Sequence, residues 1–467
     1  MKTERPLTQH IRADGLALNL REYEATGGYQ GLRTTLQMEQ HQVTKTIQDS
    51  TLWGRGGAGF GTGRKWSFVP DKDLHKRHIF PNEIVVMIEE PAVWDNALAG
   101  FTTGVKWGFM PKGEYATSPT YLVANADEME AGVFKDRVLL EGNPHQLIEG
   151  MIIAAYAVRA DTAFIFLRWA YKEAAQRIEK ALAEARQANY LGEHILGTDF
   201  SLDIHLHISA GRYICGEATA LLNSLEGRRP TPRAKPPHTA TVGLWGRPTV
   251  VNNVETLSNV PHILRNGVDW YKALSYTAEG GTKLYGVSGR VKRPGWWELP
   301  MGTTAREIVQ EHAGGMLDGY QLRGFLPGGA STDFLLAEHL DVRMDLKSVA
   351  ALGSRLGTGT MIILDDKTCP VSMTANLMHF FARESCGWCT PCRDGLPWTA
   401  KVLDALEAGQ GRPEDIDRLQ KHAHLIGSPD STFCPLAPGA MEPLQSALQY
   451  FAEDFQEHVR QQRCPWH

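Results

Sequence analysis

Three cysteines within seven residues, Cys386-Gly-Trp-Cys389-Thr-Pro-Cys392, constrain this chain more than any other feature, and a fourth, Cys434, follows later and precedes a proline. Cys-x2-Cys-x2-Cys plus a distant Cys-Pro is the spacing that wraps an iron–sulfur cube, because successive thiolates must reach three corners of one compact cluster. Structural zinc more often uses two separated Cys-x2-Cys pairs or Cys/His pairs, and it stands as the alternative. Seven cysteines, an odd number in 467 residues, make a poor disulfide framework. Cys369 and Cys464 have no partner at ligand spacing and read as packing or surface thiols.

Composition excludes several classes. With 48 Lys+Arg against 53 Asp+Glu the net charge is −5, which argues against an electrostatic nucleic-acid footprint. The longest apolar run, Met151 to Val158, is far shorter than the roughly 20 residues that span a bilayer. No apolar stretch follows the charged start Met1-Lys-Thr-Glu-Arg-Pro, so no secretory signal is expected and the expected location is cytoplasmic.

From Tyr121 to about Ile208, short strand-like runs (121–125, 163–167, 202–208) alternate with the helical stretches His145 to Val158 and Tyr171 to Asn189. Such alternation predicts an α/β layer with a largely parallel sheet. After a Pro/Gly/basic connection at 227–237, strand-like pieces from Lys283 to about Leu364 surround one capped helix near Thr303, which reads as a small α+β domain. Beyond Thr374 the pattern is helical: 374–383, 396–407, 413–424 and 439–460. One internal repeat is visible, residues 59–70 and 100–111, near copies 41 residues apart.

The run Gly54-Arg-Gly56-Gly57-Ala-Gly59-Phe-Gly61-Thr-Gly63 contains GxGxxG, but Val43 to Trp53 before it looks helical, not like the strand a dinucleotide fingerprint requires. The glycines establish a backbone able to approach a flat or phosphorylated ligand, with a flexible loop as the alternative. Asn125-Ala-Asp127-Glu128-Met-Glu130 follows a predicted strand, where α/β folds place ligand groups; a solvated turn is the plain alternative.

Read together, GRGGAGFGTGRKW (54–66), NADEMEAG (125–132), YICGEATALLNSLEG (213–227), PTVVNNVETL (248–257), ESCGWCTPCRDG (384–395) and FCPLAPGA (433–440) carry a close resemblance to one family. The chain resembles the flavin-bearing, NADH-oxidising F subunits (51-kDa-type) of bacterial respiratory complex I. The resemblance runs from about residue 20 to near the end. It implies an α/β Rossmann-like FMN/NADH domain with the N-terminal segment (1–273, insertion at about 67–110), a β-grasp (ubiquitin-like) α+β domain (274–367), and a C-terminal helical bundle with a 4Fe-4S cluster and tail (368–467). It also implies that hydride passes from NADH to FMN and that single electrons leave through the cluster toward quinone, with no acid/base pair or nucleophile in the protein.

Carried over by motif, Gly54, Gly56, Gly57 and Lys65 would contact flavin or its phosphate, and Asn125, Asp127, Glu128, Tyr213, Gly216, Glu217, Asn252 and Asn253 would complete that site. Phe60 and Phe68 match aromatics flanking the adenine, Glu130 a carboxylate near NADH, and Lys235 a lysine near the dinucleotide. Cys386, Cys389, Cys392 and Cys434 match the cluster ligands.

Three departures stand out. The family usually reads CGEET where this chain has Cys215-Gly-Glu217-Ala218-Thr219, and an aromatic where it has His238. Both changes fall at the adenosine end and predict weaker discrimination between NADH and NADPH. The third is the repeat: Lys106 and Phe109 keep the family spacing to Asn125, while Lys65 and Phe68 keep the intact glycines and are favoured. Implied partners are a thioredoxin-like 2Fe-2S subunit and a large multi-cluster subunit, with the chain in the peripheral arm of an inner-membrane complex. The alternatives are a diaphorase subunit of a soluble NAD-linked hydrogenase or formate dehydrogenase, relatives that often carry further iron–sulfur domains, and a non-catalytic iron–sulfur scaffold.

Overall fold

The structure, a computed structural model, describes residues 4–57, 119–428 and 431–466. Phe60, Lys65, Phe68, Lys106, Phe109, both repeat copies and the insertion lie outside the described residues.

Four strands, β1 (Tyr121–Ala126), β2 (Thr162–Leu167), β3 (Asp203–Ile208) and β4 (Thr249–Asn253), pair in parallel in the order β3-β2-β1-β4. β1 is apolar nearly throughout because a parallel sheet is covered on both faces. Its alternating side chains divide accordingly: Leu122, Ala124 and Ala126 enter one core, Tyr121 and Val123 another. The first core is closed by helices. Near the N-terminus stand α1 (Leu20–Ala25), α2 (Gln30–Thr35) and α3 (Gln40–Asp49), and α4 (Lys135–Gly142), α5 (Pro144–Val158) and α6 (Lys172–Gln187) follow β1 and β2. After α7 (Ala218–Leu225) come α8 (Val254–Asn266) and α9 (Val268–Ala273), which follow β4. In α5 every residue except Tyr156 is buried, and a Cβ at Gly150 would stand 2.1 Å from the Leu257 carbonyl, so only glycine lets α5 and α8 approach this closely.

A second sheet runs β6-β5-β9-β7-β8, formed by β5 (Thr282–Ser288), β6 (Gly295–Pro300), β7 (Leu322–Leu326), β8 (Leu335–Leu336) and β9 (Thr360–Asp365). Only β5 and β9 pair in parallel. The expected helix near Thr303 is the turn Ala305–Glu307, started by a Thr304/Glu307 capping box and continued by a wider turn over Ile308–His312; α10 (Leu346–Ala351) lies further on.

The remainder is helical: α11 (Pro370–Glu384), α12 (Thr390–Arg393), α13 (Gly395–Glu407), α14 (Pro413–Gly427), α15 (Leu436–Tyr450) and α16 (Ala452–Gln461). The single helix expected at 439–460 is two, because Phe451 leaves helical geometry (φ −119°, ψ 29°) and buries its ring against Phe334. The second core joins this bundle to the free face of the parallel sheet and to Leu326, Phe334 and Leu364 of the mixed sheet.

Candidate functional site

The strand order turns back between β1 and β4, the switch point at whose carboxyl ends open parallel sheets bind ligands in a crevice. Asn125 and Asn253, register partners across that pair, stand at its mouth with Asn252 beside them. The glycine run enters over it. A Cβ on Gly56 would lie 3.0 Å from Asn253 Cβ, and one on Gly57, at φ +90°, would lie 2.8 Å from Thr358 Cγ2. The loop therefore lies as bare backbone between the two sheets. Arg55 anchors it from beneath, its side chain buried and donating to the Gly280 carbonyl at 2.7 Å while its amide donates to Thr256 Oγ1 at 2.9 Å. Gly54 precedes it in the same loop.

The acidic strand end splits into three roles. Asp127 is buried, and neither oxygen is in hydrogen-bond geometry with a protein group. Burial pushes its carboxyl up to about 6, with the Ser209 hydroxyl and Arg168 nearby opposing the shift. Glu128 is fully engaged elsewhere. It accepts from the Lys135 and Asp136 amides (both 2.9 Å) at the start of α4 and from the Tyr171 hydroxyl (2.9 Å), with burial and then Asp136 raising it to about 7. Its oxygens hold the α4 N-terminus and shape the crevice rather than facing it. Glu130 accepts from the Tyr213 hydroxyl at 2.6 Å and the Ser331 amide at 2.7 Å, so one carboxylate joins β1, the 213–216 turn and the mixed-sheet unit.

Asn125 Nδ2 reaches the Gly216 carbonyl at 3.4 Å, which brings the turn Tyr213–Gly216 to the crevice. Glu217 caps α7, accepting from the Ala220 amide at 2.8 Å, and binds Lys235 Nζ at 2.7 Å. Ala218 is the first residue of α7.

Beneath the site lies an ion network that sequence reasoning missed. Lys135 Nζ contacts Asp136 (2.7 Å) and Glu255 (2.9 Å), Asn253 Nδ2 donates to Asp136 at 2.6 Å, and Lys283 Nζ stands 3.4 Å from Glu255. Burial lowers Lys283 to about 7 despite Glu255. Glu255 lies inside the PTVVNNVETL motif, and that placement was the available signal.

The cysteine loop adjoins the same turn. The Tyr213 amide donates to Glu384 at 2.9 Å, its ring packs edge-on to Phe380 and Phe381 of α11, and Arg229 donates to the Cys386 carbonyl at 3.0 Å. Cys386 and Cys389 lie between α11 and α12, Cys392 on α12 and Cys434 just before α15. Cys392 interacts electrostatically with Cys386 and Cys389, and Cys434 with Cys386, Cys392 and Glu217, so the four thiols and the Glu217 carboxylate share one neighbourhood. Burial pushes both Cys392 and Cys434 up to about 12. Four converging sulfur donors of this kind fit an iron–sulfur cluster, whose positive irons stabilise thiolates that burial alone disfavours. The glycine backbone and the buried Asp127 carboxyl, whose oxygens are in hydrogen-bond geometry with no protein group, fit a polyhydroxylated, phosphorylated flavin equally well.

One expectation is corrected. Cys369 and Cys464, read as unpartnered, are gathered with Glu407 and His458, whose ligand atoms all lie within 4.8 Å of one another.

Comparison with known proteins gives three family-model matches in chain order: the Nuo51 FMN-binding domain over residues 88–262, the SLBB domain over 284–335, and the NADH-ubiquinone oxidoreductase-F iron-sulfur binding region over 372–458. They define a class in which these three modules are carried on one polypeptide. The F subunits of the NADH-quinone oxidoreductases of Salmonella typhimurium and Escherichia coli are each 49% identical over 98% of this chain and 93% of theirs. The F 2 subunit of the Rhizobium meliloti enzyme is 43% identical over 96% of both. The chain belongs to the family of NADH-quinone oxidoreductase F subunits. Among solved structures, the NAD+-reducing [NiFe]-hydrogenase in its H2-reduced state superposes with a TM-score of 0.74 at 29% identity, over 97% of this chain and 67% of that one.

Proposed function

We propose that this chain oxidises NADH as the F subunit of an NADH-quinone oxidoreductase, with FMN at the β1/β4 crevice and a 4Fe-4S cluster on Cys386, Cys389, Cys392 and Cys434. The observation that carries this reading is the Tyr213–Gly216 turn, bonded to Asn125 of the crevice at one end and to Glu384 beside the cysteine loop at the other. When bound, the flavin supplies the conversion of a two-electron hydride into single electrons, which no side chain can perform.

The chain's own residues hold and orient. Gly54, Gly56 and Gly57 offer amides without Cβ obstruction, and Asn125, Asn252, Asn253 and Gly216 line the crevice. Asp127 accepts from ligand hydroxyls, while Glu128 keeps α4 in place. Tyr213, held by Glu130, closes the side toward the cluster. Lys235 lies at the dinucleotide end, where Phe60, Phe68 and either Lys65 or Lys106 would complete the site. The matched region 88–262 contains the second repeat copy and not the first, which supports Lys106 over the Lys65 that glycine continuity favours.

The β6-β5-β9-β7-β8 order supports the β-grasp reading of the middle unit, and β3-β2-β1-β4 the Rossmann-like reading of the first, with boundaries near 273 and 367. Among the described residues no helix is long and apolar enough to cross a membrane. The chain sits in the peripheral arm on the cytoplasmic side, beside a thioredoxin-like 2Fe-2S subunit and a multi-cluster subunit. Exposed Trp388 and Phe433, with ring centroids 6.1 Å apart at the cysteine loop, supply an apolar exit surface.

The test is an anaerobic titration of the chain, co-expressed with its small partner, with NADH and separately NADPH, followed by visible absorption and EPR. Flavin bleaching with a reduced-cluster signal is expected. A cluster that dithionite reduces but neither nucleotide does would replace this reading with the non-catalytic scaffold.

A further inference from the structure

Cys369, Glu407, His458 and Cys464 come from four places in the helical unit: the N-cap of α11, the end of α13, α16, and the segment after it. Cys369 Sγ lies 3.0 Å from Glu407 Oε1 and 3.4 Å from His458 Nε2, and the latter two atoms are 2.9 Å apart. Theirs is the one such group found among the described residues, and Cys369, His458 and Cys464 are buried with Glu407 at the rim.

Two further details suit a metal. His458 Nδ1 donates to the Asp454 carbonyl at 2.6 Å and Nε2 faces the other three groups, 2.9 Å from Glu407 Oε1, so a metal there would replace only the proton shared with that carboxylate. The Ser372 amide, at the N-terminus of a 15-residue helix, donates to Cys369 Sγ at 3.3 Å, the kind of outer hydrogen bond that orients a metal-bound sulfur; burial and the Glu407 carboxylate push the metal-free thiol well up, so a metal would displace its proton. We propose that Cys369, Glu407, His458 and Cys464 bind one zinc ion.

Two sulfurs, an imidazole nitrogen and a carboxylate oxygen are a complete tetrahedral donor set for zinc. At Zn–S about 2.3 Å and Zn–N or Zn–O about 2.0–2.2 Å, such donors sit roughly 3.3–3.8 Å apart. Cys369, Glu407 and His458, now 2.9–3.4 Å from one another, would spread by a few tenths of an ångström to admit the ion, and every pair of the four already lies within 4.8 Å. Calcium and magnesium prefer oxygen throughout, and a 4Fe-4S cluster would lack two of its thiolates. With all four positions filled by protein the ion has no open site for substrate, so its role is structural. It fastens the chain's end, α16 and the end of α13 to the start of α11. At its other end, about 22 Å away along the helix axis, α11 runs into the loop of Cys386.

The test uses the full chain purified with flavin and iron in place. Elemental analysis is expected to give about one zinc per chain beside about four irons, and zinc-edge X-ray absorption about two sulfurs near 2.3 Å with two lighter neighbours near 2.0–2.1 Å. Cys464→Ser and His458→Gln should each lose most of the zinc, roughly fivefold or more, and keep iron and flavin. A zinc-free chain with full iron, or a Cys369–Cys464 disulfide in unreduced peptide maps, would overturn the proposal. So would a zinc shell of four sulfurs, which is zinc in the cluster site. If the variants fail to fold, the wild-type absorption spectrum decides alone.

Discussion

Asp127 carries a burial cost that the Ser209 hydroxyl and Arg168 relieve only in part. Its folded pKa, about 6, stands above the ordinary 3.8, so the fold favours the protonated form. The native state binds the extra proton between those values, and stability therefore falls as pH rises from about 4 to about 6. Asp127→Asn should stabilise the flavin-free chain by up to about 3 kcal/mol above pH 6 and by almost nothing below pH 4, as thermal melts at the two pH values would register. The same change should weaken flavin retention, since a carboxylate that accepts from ligand hydroxyls is gone. Flavin loss without apo-stabilisation would mean that the carboxyl is already satisfied. Under the proposed function Ala218 stands at the adenosine end; Glu217 beside it is held by its cap and by Lys235, so no free carboxylate is left there to repel a 2'-phosphate. Ala218→Glu should raise the NADH-to-NADPH ratio of kcat/KM roughly tenfold, about 1.4 kcal/mol. An unchanged ratio rejects the argument. At this scale the sequence was readable where ligands cluster locally, as in the Cys-x2-Cys-x2-Cys run. It was opaque for Cys369, whose partner Glu407 is 38 positions away and His458 89. Glu128 looked like a crevice ligand because chain position cannot show that α4 turns its first amides back onto it.

Among elements, the glycine loop is held by shape more than by bonds. Gly57 combines a left-handed φ of +90° with the Thr358 methyl where a Cβ would go. Gly57→Ala should cost about 1–2 kcal/mol, a thermal midpoint lower by a few degrees, together with reduced flavin content. Adding Thr358→Ser should recover only the steric part, because the backbone strain remains; full recovery would show that φ was never the difficulty. The strands β1, β2 and β3 were legible from apolar runs between helical stretches. β4 was not, because Thr249–Asn253 is five residues long, follows a proline-rich connection and ends in two asparagines. Yet β4 creates the crevice, and its asparagines are the ones that line it. The division between α15 and α16 was equally hidden, since one phenylalanine with ordinary helical neighbours makes the break.

For the whole molecule, the second core is decisive. It runs from Tyr121 and Val123 of the parallel sheet through Phe334 and Leu364 of the mixed sheet to Leu396, Leu419 and Leu444 of the bundle. Units that share one core unfold together. The loaded chain should therefore melt in a single calorimetric transition, and Cys389→Ser, which removes one of the proposed cluster ligands, should lower that transition as a whole. Two resolved transitions, with only one moved by the variant, would show at least two units that unfold independently. The order of three units was legible because each has its own periodicity and motifs; their fusion into one core was not, since no local pattern records which faces meet. Glu130 adds a point about descent. Its carboxylate reaches the mixed-sheet unit through the amide of Ser331, a group present at that position in any residue except proline. That bond thus places almost no demand on the side chain at 331, which is free to diverge while the bond stays closed; the demand falls instead on Gly329, whose Cβ would stand 2.7 Å from Glu130 Cγ.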